Sequence, residues 1–120
     1  MANILLAEDD DSLRQFLAKA LQRAGHQVTH VGDGLEALEA VENEEFDLLL
    51  ADIVMPGMDG IELARRAAER LPDLRVLFIT GFAAVALHAR RAGPRQDTKI
   101  LSKPFHLREL VDQVEKILAA

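Results

Sequence analysis

The chain has 120 residues, 49% of them hydrophobic, which is enough for one globular domain with one core and too few for two. Fourteen basic against 20 acidic residues leave a formal net charge of -6, which repels nucleic acid on average, and no basic run suited to gripping phosphates is present. Cysteine is absent, which excludes disulfides, thiolate nucleophiles and Cys-ligated zinc, and no apolar stretch approaches a membrane span or a secretory signal.

Short apolar runs alternate with amphipathic stretches along the chain. Ile4-Leu5-Leu6-Ala7 is apolar on both faces, as a buried parallel strand is. Leu13, Phe16, Leu17, Ala20, Leu21 and Ala24 recur at helical spacing, and Gly25 stops that helix. Gln27 to Val31 reads as the second strand, and Leu35, Leu38 and Val41 mark the second helix. Leu48-Leu49-Leu50-Ala51 is the third strand, followed by the turn residues Pro56-Gly57-Met58-Asp59-Gly60. Ile61, Ala64, Ala67, Ala68 and Leu71 line a third helix that Pro72 ends. Val76-Leu77-Phe78-Ile79 is the fourth strand. A short helix is expected from Ala83 to Arg91, broken by Gly93-Pro94. Ile100-Leu101 falls in a fifth strand, and Leu107, Leu110, Val111, Val114, Ile117 and Leu118 form the apolar face of the last helix. No linker or low-complexity segment interrupts the run.

Such an alternation predicts an α/β fold, a doubly wound parallel sheet covered on both faces, because parallel strands need crossover helices. Ligands of such sheets bind beyond the carboxyl ends of the strands. There the chain places Glu8-Asp9-Asp10-Asp11, Asp52, Thr80 and Ser102-Lys103-Pro104. Clustered carboxylates repel one another unless a cation relieves them, and magnesium with its oxygen ligands is suited to that. An ammonium and a hydroxyl add donors for phosphoryl oxygens, and a carboxylate such as Asp52 can be a nucleophile toward phosphorus. Each feature also has a plain reading. A run of acids often lies on a solvated loop or a helix N-terminus, and Asp10 or Asp11 suits a helix cap. Asp52 suits an ordinary strand end, Thr80 a β-branched strand residue, and Lys103 an exposed charge. The functional reading gains because the plain ones must hold together at four successive strand ends.

These residues, in this order, resemble the receiver domains of two-component response regulators, the CheY-like superfamily. The matching pieces are Ile-Leu-Leu-Ala-Glu8-Asp9-Asp10, Leu-Leu-Leu-Ala-Asp52-Ile-Val-Met-Pro56-Gly-Met-Asp59-Gly60, Phe-Ile-Thr80-Gly81 and Leu-Ser-Lys103-Pro104-Phe105. The stretch from Asp52 to Gly60 is the most specific. The resemblance covers the whole chain and implies a flavodoxin-like (βα)5 sheet of strand order 2-1-3-4-5, one receiver domain over 1–120 and no output domain. It implies Mg2+ as cofactor, with Asp9 as a direct ligand, Glu8 acting through water, and Asp52 and the backbone carbonyl of Val54 completing the set. Asp52 is the implied phosphoacceptor, Thr80 and Lys103 the implied partners of the phosphoryl group, and Lys103–Pro104 an implied cis peptide. The implied donor is a histidine kinase or a histidine phosphotransferase, and the implied setting is the cytoplasm.

In two places the chain departs from the family pattern. The position three residues before the lysine, usually aromatic, is Ile100, and the segment from Ala83 to Thr98 lacks the common Gly-Ala pair before the fifth strand. The segments Phe-Ile-Thr-Gly-Phe-Ala-Ala-Val-Ala-Leu and Leu-Ser-Lys-Pro-Phe-His-Leu resemble single-domain members that serve as phosphorylation-controlled adaptors of the ClpXP protease. That makes this protease an implied partner, with a phosphorelay intermediate as the alternative. An aspartate-nucleophile phosphatase would carry Asp-x-Asp-x-Thr after the first strand, and a flavin module a phosphate-cradling Gly/Ser/Thr loop there. This chain has neither. A scaffold with vestigial acids is opposed by the intact set of Asp9, Asp52, Thr80 and Lys103. His26, His30, His88 and His106 form no motif and are expected at the surface or its boundary.

Overall fold

The apolar runs become five strands: β1 (Asn3–Ala7), β2 (Gln27–Val31), β3 (Leu48–Asp52), β4 (Arg75–Thr80) and β5 (Lys99–Ser102). The amphipathic stretches become α1 (Asp11–Arg23), α2 (Gly34–Asn43), α3 (Gly60–Arg70) and α4 (Leu107–Ala119). These elements come from a computed structural model that describes residues 2–81 and 98–120. The short helix expected from Ala83 to Arg91, its Gly93-Pro94 break and His88 lie outside the described residues. The strands form one parallel sheet in the order β2-β1-β3-β4-β5.

Strand periodicity sorts the core into two halves. Side chains alternate across a sheet, so Leu5, Ala7, Leu49, Ala51, Val76 and Phe78 face α2 and α3 on one side. Ile4, Leu6, Leu48, Leu50, Leu77 and Ile79 face α1 and α4 on the other. All twelve are buried, which is why the three central strands read as unbroken apolar runs. Ile100 is half-buried against the first of these clusters.

An aspartate starts each of the first three helices. Asp10, Asp33 and Asp59 accept hydrogen bonds from the backbone N–H groups of Leu13, Glu36 and Glu62 at 3.0, 2.8 and 2.8 Å. The capping role expected in the acidic run therefore belongs to Asp10. At α4 the relation is reversed, and the Glu109 carboxylate accepts from the His106 N–H at 3.1 Å.

Two positions expected on apolar faces are solvated. Phe16 and Leu35 are each 56% exposed. On α1 the buried stripe is Leu17, Ala18 and Leu21, and Phe16 lies about 100° round the helix from Leu17. On α2 the stripe is Gly34, Ala37 and Val41, and Leu35 falls outside it. His26 corrects the expectation of surface or boundary histidines, since it is buried. Its Nδ1 accepts from the Ala2 backbone N–H at 3.2 Å, which leaves the proton on Nε2 to reach the Glu115 carboxylate of α4 at 2.8 Å. Among the described residues, no helix is long and apolar enough to cross a membrane.

Candidate functional site

Parallel register brings the carboxyl ends of β1, β3, β4 and β5 to one edge. Ala7 pairs with Ala51, Asp52 with Ile79, and Thr80 with Ser102. Glu8 therefore emerges beside Asp52, and Thr80 and Lys103 lie one strand further on at each step. The Glu8 backbone N–H donates to the Val31 carbonyl at 3.1 Å, and the Lys103 N–H donates to the Thr80 carbonyl at 2.7 Å. The Lys103–Pro104 peptide is cis.

Sheet register and this turn aim the lysine back over the strand ends. Its Nζ stands 3.0 Å from Asp52 Oδ2 and 3.1 Å from Glu8 Oε1. Glu8, Asp52 and Thr80 are buried, whereas Asp9 is exposed. Glu8, Asp9 and Asp52 each offer a carboxylate oxygen, and these oxygens lie within 4.8 Å of one another. Of the sequence-predicted set, then, Glu8, Asp9, Asp52 and Lys103 meet in one cluster. Thr80 lies at its edge in β4. Val54 follows on the loop after β3, where its backbone N–H donates to Asp52 Oδ1 at 3.2 Å and its side chain is exposed.

That loop is held by close backbone packing. A Cβ at Gly60 would stand 2.4 Å from the Asp52 carbonyl oxygen, and one at Gly34 would stand 2.2 Å from the Met58 carbonyl oxygen. Gly60 N–H donates to the Ile53 carbonyl at 2.8 Å, so the start of α3 is drawn back onto the end of β3. Gly57 takes φ +82°, a left-handed conformation open to glycine. Sequence reasoning placed a turn here but did not see that two glycines serve contact rather than turning. It also missed Arg14, whose Nη1 donates to the Glu8 carbonyl at 3.0 Å. The legible signal was an arginine three residues after Asp11 at the first turn of a helix.

Electrostatics follow from this burial. Glu8 has its pKa pushed up to about 7, chiefly by loss of water; the Asp10 N–H bond opposes the rise, the Asp52 charge adds to it, the Lys103 bond opposes it and Asp9 adds again. Burial works against the Lys103 ammonium, but bonds to Asp52 and Glu8 and the charges of both outweigh it and hold the lysine above its ordinary value. An all-oxygen donor set of crowded carboxylates, one of them reluctant to ionise, fits a hard divalent cation such as magnesium. A soft metal would call for thiolate, and the chain has no cysteine.

The family model described as the response regulator receiver domain matches residues 4–115. The chain belongs to this family. As a receiver it is a signalling protein, and acidic pockets that bind Mg2+ are general to receivers. The response regulator receiver protein CpdR of Brucella abortus (strain 2308) is 62% identical over 120 residues, covering 100% of this chain and 99% of that protein. The sensor kinase CckA of the same organism is 38% identical over 119 residues, which cover 98% of this chain and only 12% of that longer protein. Among solved structures, the response regulator protein TrrA of Thermotoga maritima, in complex with Mg(2+)-BeF, superposes with a TM-score of 0.84. It is 27% identical, and the match covers 98% of this chain and 99% of that one.

Proposed function

We propose that the chain is a single-domain two-component response regulator that accepts a phosphoryl group on Asp52 from a histidine kinase or a histidine phosphotransferase. The observation that carries this reading is the buried Asp52 carboxylate, 3.0 Å from the Lys103 ammonium and clustered with Glu8 and Asp9. An Asp52 oxygen attacks phosphorus, a P–O bond to Asp52 forms, and the P–N bond of a phosphohistidine breaks, the imidazole leaving. With a small phosphodonor, a P–O bond of the donor breaks instead. Lys103 holds the carboxylate in place before transfer and meets the negative charge of the phosphoryl oxygens after it. Thr80, buried at the end of β4, supplies a hydroxyl donor to those oxygens.

Glu8, Asp9, Asp52 and the backbone carbonyl of Val54 would hold the magnesium ion, Glu8 through water. When bound, the ion supplies positive charge that offsets the crowding of carboxylate and phosphoryl oxygens. TrrA, whose structure contains Mg(2+)-BeF, supports this assignment by its likeness. On this reading the protein is a phosphoacceptor and not an enzyme, its chemistry ending with its own phosphorylation and dephosphorylation in the cytoplasm.

Its output is phosphorylation-dependent contact with another protein. The resemblance to single-domain regulators that act as adaptors supports the ClpXP protease as that target. A second reading, a phosphorelay intermediate, draws on the likeness to part of a sensor kinase. The test of the chemistry is incubation with acetyl phosphate and magnesium, followed by intact mass. The wild type gains one phosphoryl group and Asp52→Asn gains none; labelling of the Asn variant would end the assignment. Pull-down with purified protease in both phosphorylation states separates the two output readings, since the relay reading needs no such binding.

A further inference from the structure

The acidic run from Glu8 to Asp11 places four carboxylates in a row from the end of β1 to the first residue of α1. The exposed Asp9 carboxylate takes its position from the backbone on either side of it. One side chain reaches the backbone at the start of this run and the exposed Asp11 side chain at its end. Arg14 Nη1 donates to the Glu8 carbonyl at 3.0 Å, and Nη2 meets Asp11 Oδ1 at 2.7 Å. The Arg14 backbone N–H donates to the Asp10 carbonyl at 2.8 Å. Its side chain is only 14% exposed, and it lies against Gly32 in the β2–α2 loop, where a Cβ would stand 3.2 Å from Nη1. The guanidinium is thus wedged among the end of β1, the start of α1 and the neighbouring loop.

We propose that Arg14 is a positioning residue for magnesium: by holding the Glu8 carbonyl and the Asp11 carboxylate in one planar fork, it sets where the Glu8 and Asp9 carboxylates stand. This rests on the phosphoacceptor reading above. The fork is the reason an arginine is required. A lysine supplies the same charge as a single point and cannot bridge two acceptors with fixed geometry. Groups that orient metal ligands from behind typically contribute about 10–100-fold to metal affinity.

The test is calorimetric titration of the purified full chain with MgCl2, for wild type, Arg14→Ala, Arg14→Lys and Asp9→Asn. Arg14→Ala is expected to weaken magnesium binding at least ~10-fold, with Arg14→Lys nearer to it than to wild type. At saturating magnesium both variants reach the wild-type rate of labelling by acetyl phosphate, because Asp52 and Lys103 are untouched. Unchanged affinity in both variants overturns the proposal, as does a lowered plateau at unchanged affinity. Wild-type affinity in Arg14→Lys alone also overturns it, since charge would then suffice. If Arg14→Ala does not fold, the lysine variant decides. Asp9→Asn separates the levels. If it keeps wild-type affinity, the metal assignment and this proposal both fail; if it loses affinity while the Arg14 variants do not, only this proposal fails.

Discussion

Gly60 and Glu8 show how far single residues of the site are constrained. At Gly60 the smallest added side chain meets backbone, 2.4 Å from the Asp52 carbonyl oxygen, and backbone has no rotamer with which to yield. Gly60→Ala must therefore displace the end of β3, at a cost of about 1–3 kcal/mol, and it should slow labelling of Asp52 as well. Urea denaturation measures the first effect and intact mass the second; a variant as stable as wild type would show that the loop adapts freely. Glu8 gives a pH signature. Its folded pKa of about 7 lies above the ordinary 4.5, so folding favours the protonated acid. That contribution is complete below about 4.5 and is lost as pH rises through about 7. In metal-free buffer the melting temperature of the wild type, relative to Glu8→Gln, should therefore rise as pH falls from 8 to 5. A pH-independent difference would remove the claim that Glu8 is penalised by burial. Of these two features, the turn around Gly60 was legible in Pro56-Gly57-Met58-Asp59-Gly60, whereas the burial of Glu8 was not. The run Glu8-Asp9-Asp10-Asp11 does not by itself show that the sheet covers the first acid and leaves the other three in water.

At the scale of the element, periodicity predicted every strand and helix that the structure describes, because a strand buried on both faces and a helix buried on one leave different local patterns. It was less able to say which apolar residues lie on the buried stripe. Spacings of three and four admitted both Phe16 and Leu17, since adjacent residues each found partners one turn away. Packing chose Leu17, now fully buried, and left Phe16 56% exposed. Leu17→Ala should thus cost about 2–5 kcal/mol, while Phe16→Asp should stay within about 0.5 kcal/mol of wild type. Chemical denaturation of the two variants side by side measures this contrast, and equal losses would mean that Phe16 is covered in solution. Of the caps, only that of α1 was read from the sequence, as Asp10 or Asp11. An aspartate three residues before its backbone donor is a local relation, and the same relation recurs at Asp10, Asp33 and Asp59.

Across the whole molecule the two ends of the sheet carry different duties. The carboxyl ends hold the carboxylate cluster, while at the opposite end His26 ties the Ala2 backbone to Glu115 of α4. His26→Ala would leave the partly covered Ala2 N–H without its acceptor and should destabilise the fold by about 1–3 kcal/mol while labelling of Asp52 proceeds normally. Thermal melts paired with acetyl phosphate labelling test this, and a variant impaired in labelling but not in stability would contradict the division. By itself the sequence determined the order of strands and helices, a cap for the first helix within Asp10-Asp11, the family through the run from Asp52 to Gly60, and the candidates Glu8, Asp9, Asp52, Thr80 and Lys103. Each of these is written in neighbouring residues. Only the tertiary structure decided that Lys103 reaches Asp52, 51 residues away, and Glu8, 95 residues away. It alone decided that Glu8 is buried, that His26 is a tie between elements, and that Arg14 grips the loop carrying Asp9. The reason is physical: local periodicity reports which face of an element is apolar, whereas side-chain convergence depends on parallel register and crossover packing between segments far apart in the chain.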